Sequence, residues 1–377
     1  MMATAAGPLQ ALVETIFERA GCPRAEAATV AEHLVEANLM GHDSHGVIRV
    51  LPYIEMIRSG SWTAGRRGRI TKDAGALVTI DGEQGLGQVV ARYAIEVGIE
   101  RARAHGVAVI GVQNSAHMGR IGAWAEQAAA AGMISLHFVN TTGYGIQVAP
   151  FGGSDRRLSV NPIALGVPRP GHEPLIHDMS TGAIAAGKVR VARNKGELLP
   201  EGCLIDNKGR PTRDPEAFFT DPPGSLTTAA GHKGHGLSIF VEVLAGALTG
   251  GGSGRPDHPS ADRPVNNLLS ILIDPERMAG LDALSRDLER LVGYVTASPP
   301  LAPDGQILLP GEVERRRRAK LLKEGLPLDP KTLDQVRAAA RAVGVPDAEI
   351  EAAIGSSGAR PQAAEQSRRD WAAGVRR

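Results

Sequence analysis

Aromatic residues are scarce in this chain of 377 residues, at 3%, so its core must pack through aliphatic side chains. Cysteine is nearly absent. Cys22 and Cys203 match no metal-binding or redox spacing, and two thiols in so long a chain fit a reducing compartment. Charge of one sign is missing as well: the net charge of +1 gives no global field to draw in nucleic acid or an anionic membrane. No hydrophobic run is long enough to span a bilayer. The most apolar stretch, 237–249, is short and carries Glu242. The opening MMATAAGPLQALVETIFERAG lacks a basic n-region and is interrupted by Glu14 and Glu18, so it reads as a helix and not as a signal peptide. A cytoplasmic protein with neither nucleic-acid nor membrane partners is expected.

What is present is hydrophobic material, 42% of residues, punctuated by 46 glycines and 25 prolines. From 9 to 41 the apolar residues recur at helical spacing, and Gly21, Cys22 and Pro23 split them into two helices. A third helix follows in VIRVLPYIEMIRSG, with Pro52 in its first turn or at a kink. Beyond Ala74 strands and helices alternate: a strand at 76–81, a helix ending on Gly106, a strand at 107–113, a helix to Gly132, a strand at 133–140, then short strands IALGVP and PLIHDMS. That rhythm implies an α/β fold. A helix could start at Gly182, and 196–230 should wrap the surface as an ordered loop. An apolar helix at 235–250, a polar loop at 251–266, the strand LLSILID, a helix ending near Gly293 and a closing helix in PLDPKTLDQVRAAARAVG complete the reading. The organisation expected is a helical segment at 1–73 packing with 310–355, an α/β region at 74–309 and a frayed tail at 356–377.

A dinucleotide fingerprint is missing. Gly85-Leu86-Gly87 follows a strand, but Val90 stands where the third glycine belongs, so the turn reads as an ordinary one. Any nicotinamide site here would not be of the Rossmann type. Polar clusters at element junctions are the stronger signal. GHDSHG at 41–46 joins two helices, and NSAHMG at 114–119 places His117 at the carboxyl end of a strand, ahead of a helix N-terminus that favours negative charge. Asp178 ends another strand in the same way. Each of these alone would be a cap or turn residue. The HxxH pairs, His42 with His45 and His232 with His235, lie between glycines and lack the helical HExxH pattern, so no metal is expected; a metal-dependent hydrolase built on them is the alternative from another class. The arginines at 315–318 read as a solvated helix face, with one of them free to meet a phosphate. Lys233, between His232 and Gly234, could contact an anion.

The stretches GHDSHGVIRVLPYI, NSAHMGRIGAWAEQAA, PFGG, SVNPIALGVP, HDMSTGAIAAGKV, GHKGHGLSIFVEVLAGALTGG, LLPGE and GLPLDPKTLDQV together resemble the malate/L-lactate dehydrogenase family of the Ldh2/MDH2 type, in family order from about 8 to 350. Ureidoglycolate and sulfolactate dehydrogenases and a cyclic-imine carboxylate reductase are members. The resemblance implies a non-Rossmann α/β cofactor-binding fold with a helical N-terminal segment, a homodimer, and hydride transfer between NAD or NADP, with NAD favoured, and a small 2-hydroxy or 2-oxo acid. A cyclic imine carboxylate is the alternative substrate. It implies His117 as the acid/base, Ser44 and His45 as the pair that orients the site, and Asp178 as an acid. Arg49, four residues after His45, suits a clamp on a substrate carboxylate. The cofactor contacts implied are Thr141, Asn161, Asp178, Met179, Ser180, Lys233, Pro310, Gly311 and Glu312. Ser180 and Gly182 depart from the usual form of their segment, as do His232 and His235, which bears on substrate and cofactor choice.

Overall fold

In the computed structural model, which describes residues 2–142, 145–260 and 263–355, a strand opens the chain. β1 (Met2–Thr4) leads into α1 (Ala6–Arg19) and α2 (Arg24–Leu39); two single 3-10 turns, Asp43–His45 and Val47–Arg49, carry the chain into α3 (Val50–Arg58). Pro52 falls in the first turn of α3, where its missing N–H costs nothing. Then come β2 (Arg69–Ala74), β3 (Leu77–Asp81), α4 (Gly87–His105), β4 (Val107–Ser115), α5 (Gly122–Ala130), β5 (Ile134–Thr142), β6 (Pro162–Val167) and β7 (Leu175–Ser180). α6 (Ala186–Lys195), the two-residue strands β8 (Leu204–Ile205), β9 (Pro211–Thr212) and β10 (Ser225–Leu226), and α7 (His232–Val241) follow. The last part holds β11 (Val265–Ile273), α8 (Leu281–Thr296), α9 (Glu312–Glu324), β12 (Leu326–Leu328), α10 (Pro330–Ala342) and α11 (Asp347–Ile354).

The fold is mixed α/β around a seven-stranded sheet in the order β2-β3-β4-β11-β5-β6-β7. Only β3 and β4 pair in parallel; the other pairs are antiparallel. β11, a late strand, therefore lies at the centre and faces both β4 and β5, and this brings Asn266 and Asn267 beside the ends of strands formed far earlier. One apolar core lies against this sheet. A second gathers Leu9, Phe17, Leu34, Tyr53 and Trp62 from the first helices with Leu321, Val336 and Ile354 from the last ones. β1 pairs with β12 across the same junction.

Gly106 caps α4 in the left-handed conformation, its N–H reaching Ala102, as its position after a long helical pattern implied. Other expectations need correction. β2 is a mostly exposed edge strand of charged residues and has no apolar alternation to announce it. The region 196–230 is not a plain loop: it holds a three-stranded sheet in the order β10-β8-β9, whose strands are too short for periodicity to show. The helix after Gly182 begins only at Ala186, and α8 runs through Gly293 to Thr296. The apolar helix around 237–249 shows part of its surface to solvent. It changes from α to π pitch at Glu242–Ala247, buries Ser238, Val241, Glu242 and Ala245, and leaves Leu237, Phe240, Val243 and Leu248 exposed. The tail at 356–377 lies outside the described residues.

Candidate active site

One buried side chain shapes the turn between α2 and α3. Asn38 donates from Nδ2 to Asp43 (2.7 Å) and accepts at Oδ1 from the Val47 N–H (2.8 Å). A Cβ on Gly46 would overlap the Asn38 amide, so glycine is required there. The turn presents Ser44, His45 and Arg49 together, with Arg49 Nε donating to the Ser44 carbonyl at 2.6 Å.

His117 reaches the same place from the end of β4. The next residue, Met118, donates its N–H to Asn266 Oδ1 on β11 (2.9 Å). The first turn of α4 passes directly beneath: a Cβ on Gly87 would lie 2.3 Å from the His117 carbonyl oxygen. The Gly-Leu-Gly turn is therefore not ordinary; its last glycine permits this close approach. The rings of His45 and His117 stack almost parallel, with centroids 5.3 Å apart. His117 Nδ1 lies 2.5 Å from the Tyr53 hydroxyl, and Gln88 Nε2 donates to that hydroxyl at 3.1 Å.

Burial, then Arg49, then His45 and His33 hold His117 well below the usual histidine range. Burial, Arg49, His42 and Arg120 lower His45 to about 3. Both rings are neutral at pH 7. Arg49 also favours the Tyr53 phenolate, but burial outweighs it and the phenol is pushed up to about 12. The site is thus two neutral imidazoles with a guanidinium beside them.

Asp178 stands at a neighbouring cluster. Its Oδ2 accepts from the Gly122 N–H (2.8 Å), so the negative charge favoured at the N-terminus of α5 is already supplied. Buried Arg120 donates to Glu126 (2.7 Å) and, with Asp178, flanks Gly122 so tightly that a Cβ there would sit 2.7 and 2.8 Å from the two groups. Burial lowers His42, while Asp178 works against that shift. His33 accepts the Arg120 N–H at 2.9 Å and stacks on Trp124. A cleft of about 680 Å³ opens beside His33, Arg120 and Trp124 and does not include His117.

The implied cofactor residues fall into three groups. Thr141 accepts from Asn266 Nδ2 (2.9 Å), which ties it through that asparagine to the loop of His117. Asn161 sits in the left-handed region and donates from Nδ2 to buried Glu242 (2.8 Å) and to Ser238, while its Oδ1 is buried without a partner among the described residues. Met179 packs near Ile163, Val241 and Ala245, and Lys233 is exposed in the first turn of α7. Pro310 accepts the Ile176 N–H (3.2 Å), and Gly311 caps α9 with positive φ. Two side chains are committed elsewhere. Ser180 Oγ donates to the Val160 carbonyl (3.1 Å) and accepts from Gly182 N–H (2.9 Å). Glu312 accepts from Leu309 N–H and pairs with Arg316, and these bonds hold its carboxyl below the usual range.

The arginines at 315–318 are more than a solvated face: Arg315 donates to the Pro174 carbonyl, and Arg316, Arg317 and Arg318 pair with Glu312, Asp43 and Glu36. Among the described residues no group of three or more His, Cys, Asp or Glu is arranged to hold a metal. Sequence reasoning missed Tyr53, Gln88, Asn38 and Asn266. Tyr53, four residues after Arg49, carried a helical-spacing signal; the others are single polar residues whose role depends on where β11 and α4 lie.

The chain matches the model of the malate/L-lactate dehydrogenase family over residues 5–337. It belongs to that family. It is 42% identical to hydroxycarboxylate dehydrogenase B of Escherichia coli K12, over 91% of this chain and 95% of that one. It is 35% identical to the Delta(1)-pyrroline-2-carboxylate/Delta(1)-piperideine-2-carboxylate reductase of Pseudomonas putida, over 87% of this chain and 94% of that protein. The solved sulfolactate dehydrogenase of Methanocaldococcus jannaschii superposes with a TM-score of 0.84 at 32% identity, covering 93% of this chain and 99% of that one. This family member is an enzyme of the dehydrogenase class.

Proposed function

We propose that the protein transfers hydride between a nicotinamide cofactor, NAD ahead of NADP, and a small 2-oxo or 2-hydroxy acid. The observation that carries this reading is His117: a half-buried ring held neutral, stacked on His45, with the Arg49 guanidinium close enough to depress both. Arg49 takes the substrate carboxylate, and a neutral imidazole exchanges a proton with the substrate oxygen near pH 7. Ser44 and His45 orient the substrate. The acceptor left on Asn161 Oδ1 suits a carboxamide N–H, and exposed Lys233 at the start of α7 suits a phosphate. Met179, Thr141 and the backbone of Asp178, Ser180, Pro310, Gly311 and Glu312 complete the cofactor cradle, which is not of the Rossmann type. When bound, the nicotinamide supplies or takes the hydride.

Reduction of a cyclic imine carboxylate is the second reading, favoured by the Pseudomonas putida relative and by Asp178, a carboxylate set between Gly122 and Arg120. A screen of 2-oxo acids and cyclic imine carboxylates with NADH and NADPH decides between them. Oxidation of cofactor with an oxo acid is expected and should survive exhaustive chelation; turnover of imines alone, or loss on EDTA treatment restored by zinc, overturns the reading.

The working unit is a cytoplasmic homodimer. Leu237, Ile239, Phe240, Val243 and Leu248 are exposed along α7 and its π extension, where a second copy of the chain would cover them. Sedimentation at assay concentration should give a dimer, and a fully active monomer defeats this part. Residues 1–73 and 310–355 form one lobe, supported by their shared core and the β1–β12 pair. No helix among the described residues is long and apolar enough to cross a membrane.

A further inference from the structure

We infer that Tyr53 and Gln88 fix which ring nitrogen of His117 carries its proton, and that Tyr53 refills that proton through the ring. The inference rests on the dehydrogenase reading of the site. A phenol has one proton and can accept hydrogen bonds. Gln88 Nε2 donates to the Tyr53 oxygen at 3.1 Å, so the phenol's own proton is free to point at His117 Nδ1, 2.5 Å away. Nδ1 is then an acceptor, and the neutral ring must hold its proton on Nε2. Gln88 Oε1 has no partner among the described residues. It is the Nε2 donation to the phenol oxygen that leaves the phenol proton for His117; a carbonyl turned to that place would take the proton itself. Tyr53 is fixed by its edge contacts with Phe17 and Trp62.

This arrangement presents an N–H, not a lone pair, to the substrate. As C2 of the oxo acid gains hydride, the C=O π electrons pass to oxygen, and that oxygen takes the Nε2 proton. The N–H electrons stay in the ring, Nδ1 takes the Tyr53 proton, and the O–H electrons stay on the phenolate. The phenolate is then held by Nδ1–H and by Gln88 until one proton from solvent enters at Nε2 and the Nδ1 proton returns to Tyr53. One proton is consumed for each acid reduced. Tyr53 and Gln88 are positioning residues: they act through His117 and touch no substrate. The arrangement favours reduction at neutral pH, because oxidation of the hydroxy acid must begin from the other tautomer or from the phenolate.

The test needs no turnover. In enzyme labelled with 15N-histidine, with His117 identified by its loss in His117→Gln, the wild-type ring at pH 7 is expected as a single neutral tautomer protonated at Nε2. Tyr53→Phe keeps the packed ring and should give both tautomers, with kcat for oxo-acid reduction lowered roughly tenfold or more and KM for the acid little changed. Gln88→Leu should give a smaller loss in the same direction. A wild-type ring protonated at Nδ1 or at both nitrogens, or Tyr53→Phe with wild-type turnover, overturns the inference. Full activity in His117→Ala would sink the dehydrogenase assignment of this residue instead, and the spectrum would still report the tautomer.

Discussion

Two histidines of the central sheet, one on β5 and one just past β4, meet opposite fates. His137 on β5 is fully buried, and both ring nitrogens are satisfied by hydroxyls, Nδ1 with Ser270 (2.8 Å) and Nε2 with Ser135 (2.9 Å). Burial alone lowers it to about 3. His117, just past β4, is also held neutral, but among the described residues Nδ1 alone is paired, and the ring is half-buried beside a guanidinium. A depressed histidine is therefore no sign of a site by itself. The sign is the nitrogen left over, next to a guanidinium.

The strongest way to break this contrast is His117→Ala. Turnover is expected to fall by roughly two orders of magnitude or more, with cofactor affinity nearly intact; steady-state kinetics and cofactor titration check both halves. His137→Leu should do the reverse, lowering stability by about 1–3 kcal/mol because Ser135 and Ser270 lose their partner. Denaturant melts should show that loss, with kcat of the folded enzyme unchanged. Arg49→Lys is subtler: an ammonium keeps the charge but not the two-pronged contact, so KM for the acid should rise about tenfold while cofactor binding holds. If cofactor binding suffers instead, Arg49 is not the clamp.

The last effect is on pH-dependent stability, and both histidine environments share it. His45 and His137 fall from 6.5 to about 3 on folding, so between those values the unfolded chain binds more protons than the folded one. Stability is full above about 6.5 and declines as the pH drops toward 3. Melting temperatures across that window should fall with acid, and less steeply in His137→Leu. A flat profile would mean these rings are not neutral in the fold.

Much of this was legible in the sequence. Strand 107–113, Gly106 as a cap, the junction at 41–46 and His117 at a strand end all follow from periodicity and turn chemistry, which act over a few residues. Ser44, His45 and Arg49 sit within one short turn, so their grouping needed only local geometry. Ser180 and Glu312 were harder: their side chains resemble ligands of a cofactor, yet both are spent on bonds within the chain. The exposed face of α7 was hidden for a related reason, since an apolar sequence does not say which faces the fold covers.

By itself the sequence determined most of the longer elements, the α/β class and the residues at the junctions, because propensity and hydrophobic period are properties of neighbours along the chain. Only the tertiary structure decided that β11 would sit between β4 and β5, so that Asn266 joins Thr141 to the loop of His117. It alone brought Tyr53 against one imidazole nitrogen, and Gln88, 35 residues further along, against the Tyr53 hydroxyl. Hydrogen bonds across such separations are selected by the packing of whole elements, and no local pattern encodes them.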